Sequence, residues 1–494
     1  MRLPRLLAVS GVLGLALGAF GQGPRFSVTF PGELLAKPFT GRVVVYLSKS
    51  GGEPRFGPNW FQPQPMISAR FTKVEPGRPM VIDPKNGVAF PPDPAKWTPG
   101  EYTVQAVVDL NLGGRTVGGS PGNLYSKPVS AKIDPGQGSE IVLVCDQVVG
   151  ITPFRETDGV KEVRLESKLL SDFYGRPTFM SAAIALPEGY DGAAERRYPV
   201  AYEVPGFGGG SRNWSGRTRV ASTEKAGEKF LAVLLDPNCP TGHSVFADSA
   251  NNGPWGKALT TELIPEIERR FKAVGEPWAR FVSGHSSGGW SSLWLQVAYP
   301  EFFGGCWSTA PDPVDFRRFQ TVDIYAPGAN AFQDGTGKDA PIARFGDTVA
   351  ITARQFSDME RPIRGEQLGS FEAVFSPRGP EGEPALLWNR DTGTIDPKVA
   401  EAWKKYDIAL ILKNQWATLG PKLAGKVHVF MGDKDTFYLD GAVRLLQADM
   451  LGRTPQLVIE IVPGDHGSMM TQALRTRIES EMAAKFRAGK PKSG

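Results

Sequence analysis

Two patterns of apolar and polar positions divide the chain near residue 150. Before that point apolar residues alternate with polar ones in short runs, clearest at Phe26 to Phe30, Gly41 to Leu47, Met66 to Phe71, Tyr102 to Leu110 and Glu140 to Val144. Clusters of Pro, Gly, Asp and Asn separate the runs, and no helical period of useful length intervenes. Period-two alternation between turn residues predicts a small all-β sandwich over residues 22–150. Beyond it, Tyr198 to Val204, Ala279 to Ser283, Lys426 to Met431 and Leu457 to Val462 read as strands. Gly289 to Tyr299 instead places its large apolar groups at helical spacing before Pro300.

After Trp255, residues Leu259, Leu263, Ile264, Ile267 and Phe271 recur every turn, with Glu262, Glu266, Glu268, Arg269 and Arg270 largely opposite. That is an amphipathic helix packed on a sheet, and Pro265 inside it is expected to kink it, because proline lacks a backbone donor. Residues 312–424 form a stretch longer than one strand-to-helix step needs. It is expected to hold one ordinary sheet step and a lid or cleft wall, with Glu401 to Tyr406 and Asp407 to Leu412 helical and Ser376 to Pro384 a loop. In the front unit, Pro99-Gly100-Glu101-Tyr102 resembles the start of a late strand of an immunoglobulin-like sandwich. Trp60, Phe61 and Trp97 there are candidates for carbohydrate binding or for packing.

With 494 residues and 41% hydrophobic content, the chain is too long for one compact domain and sufficient for two cores. Its net charge of +4 comes from 56 basic and 52 acidic residues scattered along the sequence, so no nucleic-acid partner is expected. Arg2 and Arg5 precede an apolar run from Leu6 to Leu17, and Ala19 and Gly21 offer a cleavage site before Gln22. This is the layout of a signal peptide over residues 1–21, which makes the expected location secreted or periplasmic. Later apolar runs are too short to span a membrane, so no stable insertion is expected after cleavage. Cys145, Cys239 and Cys306 allow at most one disulfide, and their spacing does not suggest zinc. The basic stretch from Lys485 to Lys492 reads as a solvated tail, with residues 489–494 disordered.

Chemistry enters at Gly284-His285-Ser286-Ser287-Gly288, a G-x-S-x-G sequence between a strand-like and a helix-like run. That context nominates Ser286 as a nucleophile on a sharp turn. Only four histidines are available as its base. His285 lies inside the turn, where its side chain is expected to point away from the serine's reacting face, and His428 lies in an apolar strand; both read as structural. His243, in Pro240-Thr241-Gly242-His243, is a candidate substrate contact or a solvated loop residue. His466 follows a strand in Pro463-Gly464-Asp465-His466-Gly467, the position of a general base. Between serine and histidine, Gly432-Asp433-Lys434-Asp435 offers the carboxylate; Asp435 is favoured and Asp433 reads as a turn residue. Asp465 reads as solvated. The amide after the nucleophile, Ser287, and that of Phe207 in Pro205-Gly206-Phe207-Gly208-Gly209-Gly210 are the expected oxyanion donors.

From about residue 160 onward the chain resembles the putative esterase family of α/β-hydrolases, which includes esterase D, enterochelin esterases, feruloyl and acetylxylan esterases and mycolyltransferases. The resemblance rests on the Pro205 to Gly209 loop, Phe246 to Gly256, Gly284 to Gly289, Gly432 to Asp435 and Gly464-Asp465-His466. Pro205 departs from it, standing where the esterase loop carries histidine. The resemblance implies an α/β-hydrolase fold over residues 151–488, with a mostly parallel sheet flanked by helices, and a metal-independent serine hydrolase or acyltransferase with no cofactor. It also makes Asn252 and Trp255 candidate substrate contacts. The expected activity is hydrolysis of a small-molecule or carbohydrate ester, an acyl sugar or a siderophore among the candidates, through a Ser286-His466-Asp435 triad. The alternatives are an acyltransferase using the same acyl-enzyme, and a non-catalytic carbohydrate-binding protein on a hydrolase scaffold. The oligomeric state is left open.

Overall fold

The computed structural model describes residues 23–491, apart from 137, 139, 194 and 454–456. The expected signal peptide therefore lies outside the described residues. In the front unit Met80–Ile82, Arg25–Thr29 and Glu140–Val144 form a three-stranded sheet. A larger sheet runs Gln147–Val148, Leu124–Tyr125, Gly100–Asp109, Phe39–Ser48, Met66–Val74, Val88–Phe90, with Val129–Ile133 also pairing to Gly100–Asp109. Phe26, Val28, Val43, Val45, Ile67 and Val104 are fully buried in the core of this unit. The short strands at 80–82, 88–90, 124–125 and 147–148 carry too few residues to display an alternation, and the sequence pattern passes over them.

Strand Phe39–Ser48 explains how the two halves of the molecule join. Successive side chains on a strand point to opposite faces, so Val43, Val45 and Leu47 enter the front core while Val44 and Tyr46 enter the core of the second half. Met66 and Val107 do the same from neighbouring strands. With both faces covered, the apolar run becomes continuous rather than alternating. The seam is also polar. Arg364 clamps Asp109 through two hydrogen bonds of 2.6 and 2.8 Å, and Arg42 donates to the Pro362 carbonyl at 3.1 Å.

The second half is built on an eight-stranded sheet in the order Val160–Glu166, Phe179–Ala185, Leu231–Leu235, Val200–Val204, Arg280–His285, Gly305–Thr309, Val427–Gly432, Leu457–Val462. The first two pairings are antiparallel and the remaining five parallel. The segment after Trp255 starts as a helical turn, widens to a π-helix over Leu259–Leu263 and resumes as Ile264–Arg270. Pro265 cannot donate to the carbonyl one turn earlier, and the wider turn immediately before it accommodates that loss.

Gly305–Thr309 and Val427–Gly432 are parallel neighbours, so everything between them is one long crossover. It carries a hairpin, Pro341–Phe345 with Thr348–Thr352, and the helices Ala353–Glu360, Gln367–Phe375, Pro397–Trp403 and Ile408–Leu423. At the C-terminus the expected tail is in part a helix: Gln472–Gly489 takes in Lys485 and Arg487, because Phe486 stacks on Trp278 with ring centroids 5.6 Å apart. All three cysteines are buried and free. Among the described residues no helix is long and apolar enough to cross a membrane.

Candidate active site

Ser286 occupies the turn between the central strand Arg280–His285 and the helix Ser287–Ala298, with φ 60° and ψ −126°. Non-glycine residues adopt such a backbone only where their surroundings enforce it. Here the Ser286 amide donates to Thr309 O at 3.0 Å, and its own carbonyl accepts from Trp290 N at 3.0 Å. The flanking glycines let the neighbouring strand close on the turn: a Cβ on Gly288 would collide with the Val204 carbonyl, and one on Gly284 with the Gly288 carbonyl. Gly206 approaches from the other side, where an added Cβ would stand 3.3 Å from Ser286 Cβ.

His466 and Asp435 meet at the ends of the last two strands. Asp435 Oδ2 is 2.7 Å from His466 Nδ1, and Asp435 Oδ1 accepts from Phe437 N at 2.8 Å and Leu439 N at 3.3 Å. The carboxylate is completely buried, so these bonds supply what water would otherwise provide. Arg344, from the crossover hairpin, donates to the Asp435 carbonyl at 3.0 Å and pairs with Asp440. Asp433 has a different position: its Oδ1 accepts from Gly464 N at 2.9 Å and ties the acid loop to the histidine loop. Asp465 caps its own turn, accepting from the amides of Gly467 and Ser468 and from the Ser468 hydroxyl, and the Ser468 amide bond leads in holding its carboxyl below the usual range.

The Pro205 to Gly210 loop turns tightly, with Gly209 N donating to Gly206 O at 3.0 Å. Among the described residues neither the Phe207 amide nor the Ser287 amide donates to a protein acceptor. Ser287 is the first residue of its helix, where N–H groups have no partner within the helix.

Ser286, His466, Phe207, Asp312, Trp60 and Phe437 line one cavity of about 280 Å³. Phe356, Gln320 and Gln367 also border it, so the crossover supplies a cleft wall. Asp312 is buried beside the serine turn, accepting from the Ser287 hydroxyl at 2.5 Å and from Gln367 Nε2 at 3.1 Å. Burial pushes its carboxyl up to about 6, against the pull of the Ser287 hydrogen bond. Gln320, Gln367, Phe356 and Phe437 carry no local sequence signal of a site; only Asp312, three residues beyond the Gly305–Thr309 strand, sits where strand-end logic could find it. Trp60, a candidate for carbohydrate binding or for packing, packs against Phe207, Phe356 and Phe437 at the cavity wall.

Several expectations are corrected. His243 neither contacts the cavity nor faces solvent: it is buried, Val245 N donates to its Nδ1 at 3.0 Å, and its Nε2 donates to Pro205 O at 3.1 Å. Asn252 is buried beneath the loop and accepts from the Thr241 hydroxyl at 2.5 Å, while the buried Trp255 packs on Phe246. Neither borders the cavity. The His285 ring does not turn away: it lies 4.7 Å from the His466 ring, with its Nδ1 3.0 Å from the Thr309 hydroxyl. His428, by contrast, is buried in its strand as expected, stacked on Trp307. Trp97 is a core residue whose Nε1 donates to Pro91 O.

The mostly parallel sheet, with a strained serine at the carboxyl end of its central strand and a histidine and a buried carboxylate at the ends of the last two, defines the α/β-hydrolase class. The sequence profile of the putative esterase family matches residues 177–472, more than half of the chain, and the chain belongs to that family. A stretch of 139 residues, 25% of the chain, is 29% identical to an endo-1,4-beta-xylanase/feruloyl esterase of Xylanibacter ruminicola, of which it spans only 18%. A stretch of 213 residues, 39% of the chain, is 25% identical to an S-formylglutathione hydrolase of Paracoccus denitrificans, spanning 68% of it. Among solved structures a ferulic acid esterase matches 67% of this chain and 100% of its own, with TM-score 0.42 and 14% identity.

Proposed function

We propose that this protein is an exported serine esterase that cleaves carboxylic esters through an acyl-enzyme. The observation that carries the reading is the 2.7 Å contact between Asp435 Oδ2 and His466 Nδ1 at the cavity that Ser286 also lines. Asp435 accepts a hydrogen bond from Nδ1–H, which leaves Nε2 of His466 as the base for the Ser286 hydroxyl. Ser286 Oγ attacks the ester carbonyl, and the amides of Phe207 and Ser287 hold the developing oxyanion. His466 then returns the proton to the departing alcohol. Water, activated by the same histidine, releases the acid and restores the serine.

Family membership supports ester cleavage, and the substrate is read as a small-molecule or carbohydrate ester. Export rests on the Arg2 to Gly21 sequence alone. The front unit is read as an immunoglobulin-like sandwich. Tyr102 OH donates to Thr98 O at 2.7 Å, the bond a tyrosine corner makes at the start of a late strand.

Labelling with a fluorophosphonate, mapped by mass spectrometry, tests the reading. Modification of Ser286 alone, lost in Ser286→Ala, is the expected result. An unlabelled chain that turns over no ester would refute it. Release of acid without an added alcohol acceptor separates hydrolysis from acyl transfer.

A further inference from the structure

One wall of the catalytic cavity comes from outside the hydrolase sheet. Trp60 lies in the loop joining Phe39–Ser48 to Met66–Val74 in the front unit. Its ring stacks on Phe207 at 5.6 Å and 27°, and meets Phe356 at 5.0 Å and 73° and Phe437 at 6.3 Å and 89°, both edge to face. Its indole N–H donates to Glu366 Oε2 at 3.3 Å. Glu366 is in turn 3.9 Å from the guanidinium of Arg115, which lies 4.7 Å from the centre of the Phe207 ring. Four parts of the chain thus meet on one indole: the front unit, the Pro205 to Gly210 loop, the long crossover and the acid loop.

Trp60 and Phe207 also border a second space, a groove of about 780 Å³ with a mixed lining in which Ser48, Gln62 and Gln64 of the front unit stand beside Phe56, Phe61 and Met66. The indole therefore stands between the small cavity at Ser286 and a larger groove. A cavity of about 280 Å³ lies just below the range, about 300–1,000 Å³, that accepts drug-sized ligands. A two-torsion aromatic held by three rings and a hydrogen bond has little freedom to swing aside. One boundary of the space beside the nucleophile is consequently set by this side chain.

We propose that Trp60 is a specificity-determining residue of the esterase, setting the size of the acyl group that sits beside Ser286. This rests on the serine-esterase reading. It makes the front unit part of the substrate site rather than a separable binding module. Packing between the two units is the competing role for Trp60, and it makes a different prediction: losing the indole would then lower stability, or activity on every ester, without changing the order of preference.

The experiment compares kcat and KM for p-nitrophenyl acetate, butyrate and hexanoate in the parent chain, Trp60→Ala, Trp60→Phe and Phe61→Ala, with folding checked by circular dichroism. In Trp60→Ala the ratio of kcat/KM for hexanoate to that for acetate is expected to rise at least about tenfold, the scale of one or two methylenes accommodated in a pocket, mainly through KM. Trp60→Phe, the milder change should Trp60→Ala fail to fold, is expected to move the ratio in the same direction by about two- to threefold. Phe61 is 41% exposed and does not border the cavity, touching it only through the Phe437 ring at 6.4 Å, so Phe61→Ala is expected to move the ratio less than Trp60→Phe does. A ratio unchanged in folded Trp60→Ala, or in Trp60→Phe if only that variant folds, overturns the proposal while leaving the esterase reading intact. A parent chain that neither hydrolyses these esters nor takes up fluorophosphonate overturns both.

Discussion

Asp435 Oδ2 and His466 Nδ1 are 2.7 Å apart although they come from different strand ends, and Asp433, two residues from Asp435, bonds to Gly464 instead. The two carboxylates therefore separate by experiment. Asp435→Asn is expected to lower kcat by about 10⁴, because an amide no longer selects the tautomer with Nε2 free. Asp433→Asn retains an oxygen for the Gly464 amide, and its loss is expected to stay within about tenfold. Steady-state ester hydrolysis measures both; equal damage would remove Asp435 from the triad.

Ser286→Ala and His466→Ala are each expected to reduce kcat by about 10⁶, and the double variant by no more than either alone, since members of a triad act as a unit. Multiplying losses in the double variant would mean that the two residues act in separate steps.

Two histidines give the fold a dependence on acid. Burial pushes His243 down to about 4; burial, with the His466 charge second, does the same to His285. Unfolded, each titrates near 6.5. Between these values the unfolded chain binds more protons, so their contribution to stability is complete above pH 6.5 and is lost as pH falls toward 4, at up to about 1.4 kcal/mol per pH unit each. Asp312 opposes them. Its raised carboxyl contributes stability that is complete below 3.8 and lost as pH rises through about 6. Imidazole proton NMR is expected to find His243 and His285 neutral down to about pH 5. A midpoint near 6.5 for His243 would contradict its burial against Pro205.

Arg364 and Asp109 join the two halves. Asp109 is 4% exposed, and Arg364 also donates to the carbonyls of Gly114 at 2.8 Å and Pro240 at 2.6 Å. Arg364→Ala would leave Asp109 as a buried, uncompensated charge, with an expected loss of about 3–5 kcal/mol in chemical denaturation. A loss below about 1 kcal/mol would show that water reaches the carboxylate.

Local patterns sufficed where the constraint on a residue is itself local. Alternation exposed the longer front strands, and small residues around Ser286 marked a turn whose backbone only such neighbours permit. A histidine and an acid each just beyond an apolar run could be found from strand ends. The errors arose where a residue's surroundings come from elsewhere in the chain. His243 lies in a polar loop, yet the Pro205 carbonyl and the Val245 amide enclose it. Nothing next to Asn252 or Trp255 in sequence shows that the cavity opens elsewhere. Lys485 and Arg487 looked like a tail because Trp278, which holds Phe486, is some two hundred positions away.

The sequence by itself determined the strand–turn–helix unit at Ser286 and the order of the chemically competent residues, because backbone sterics and hydrophobic period act over a few positions. Turn-residue logic favoured Asp435 over Asp433, but only the tertiary structure sets Asp435 against His466, buries Asp312 beside the serine turn and brings Trp60 of the front unit to the cavity wall. Those relationships depend on how separate strands register and on which face of the front sheet is covered, and both are settled only when distant segments pack together.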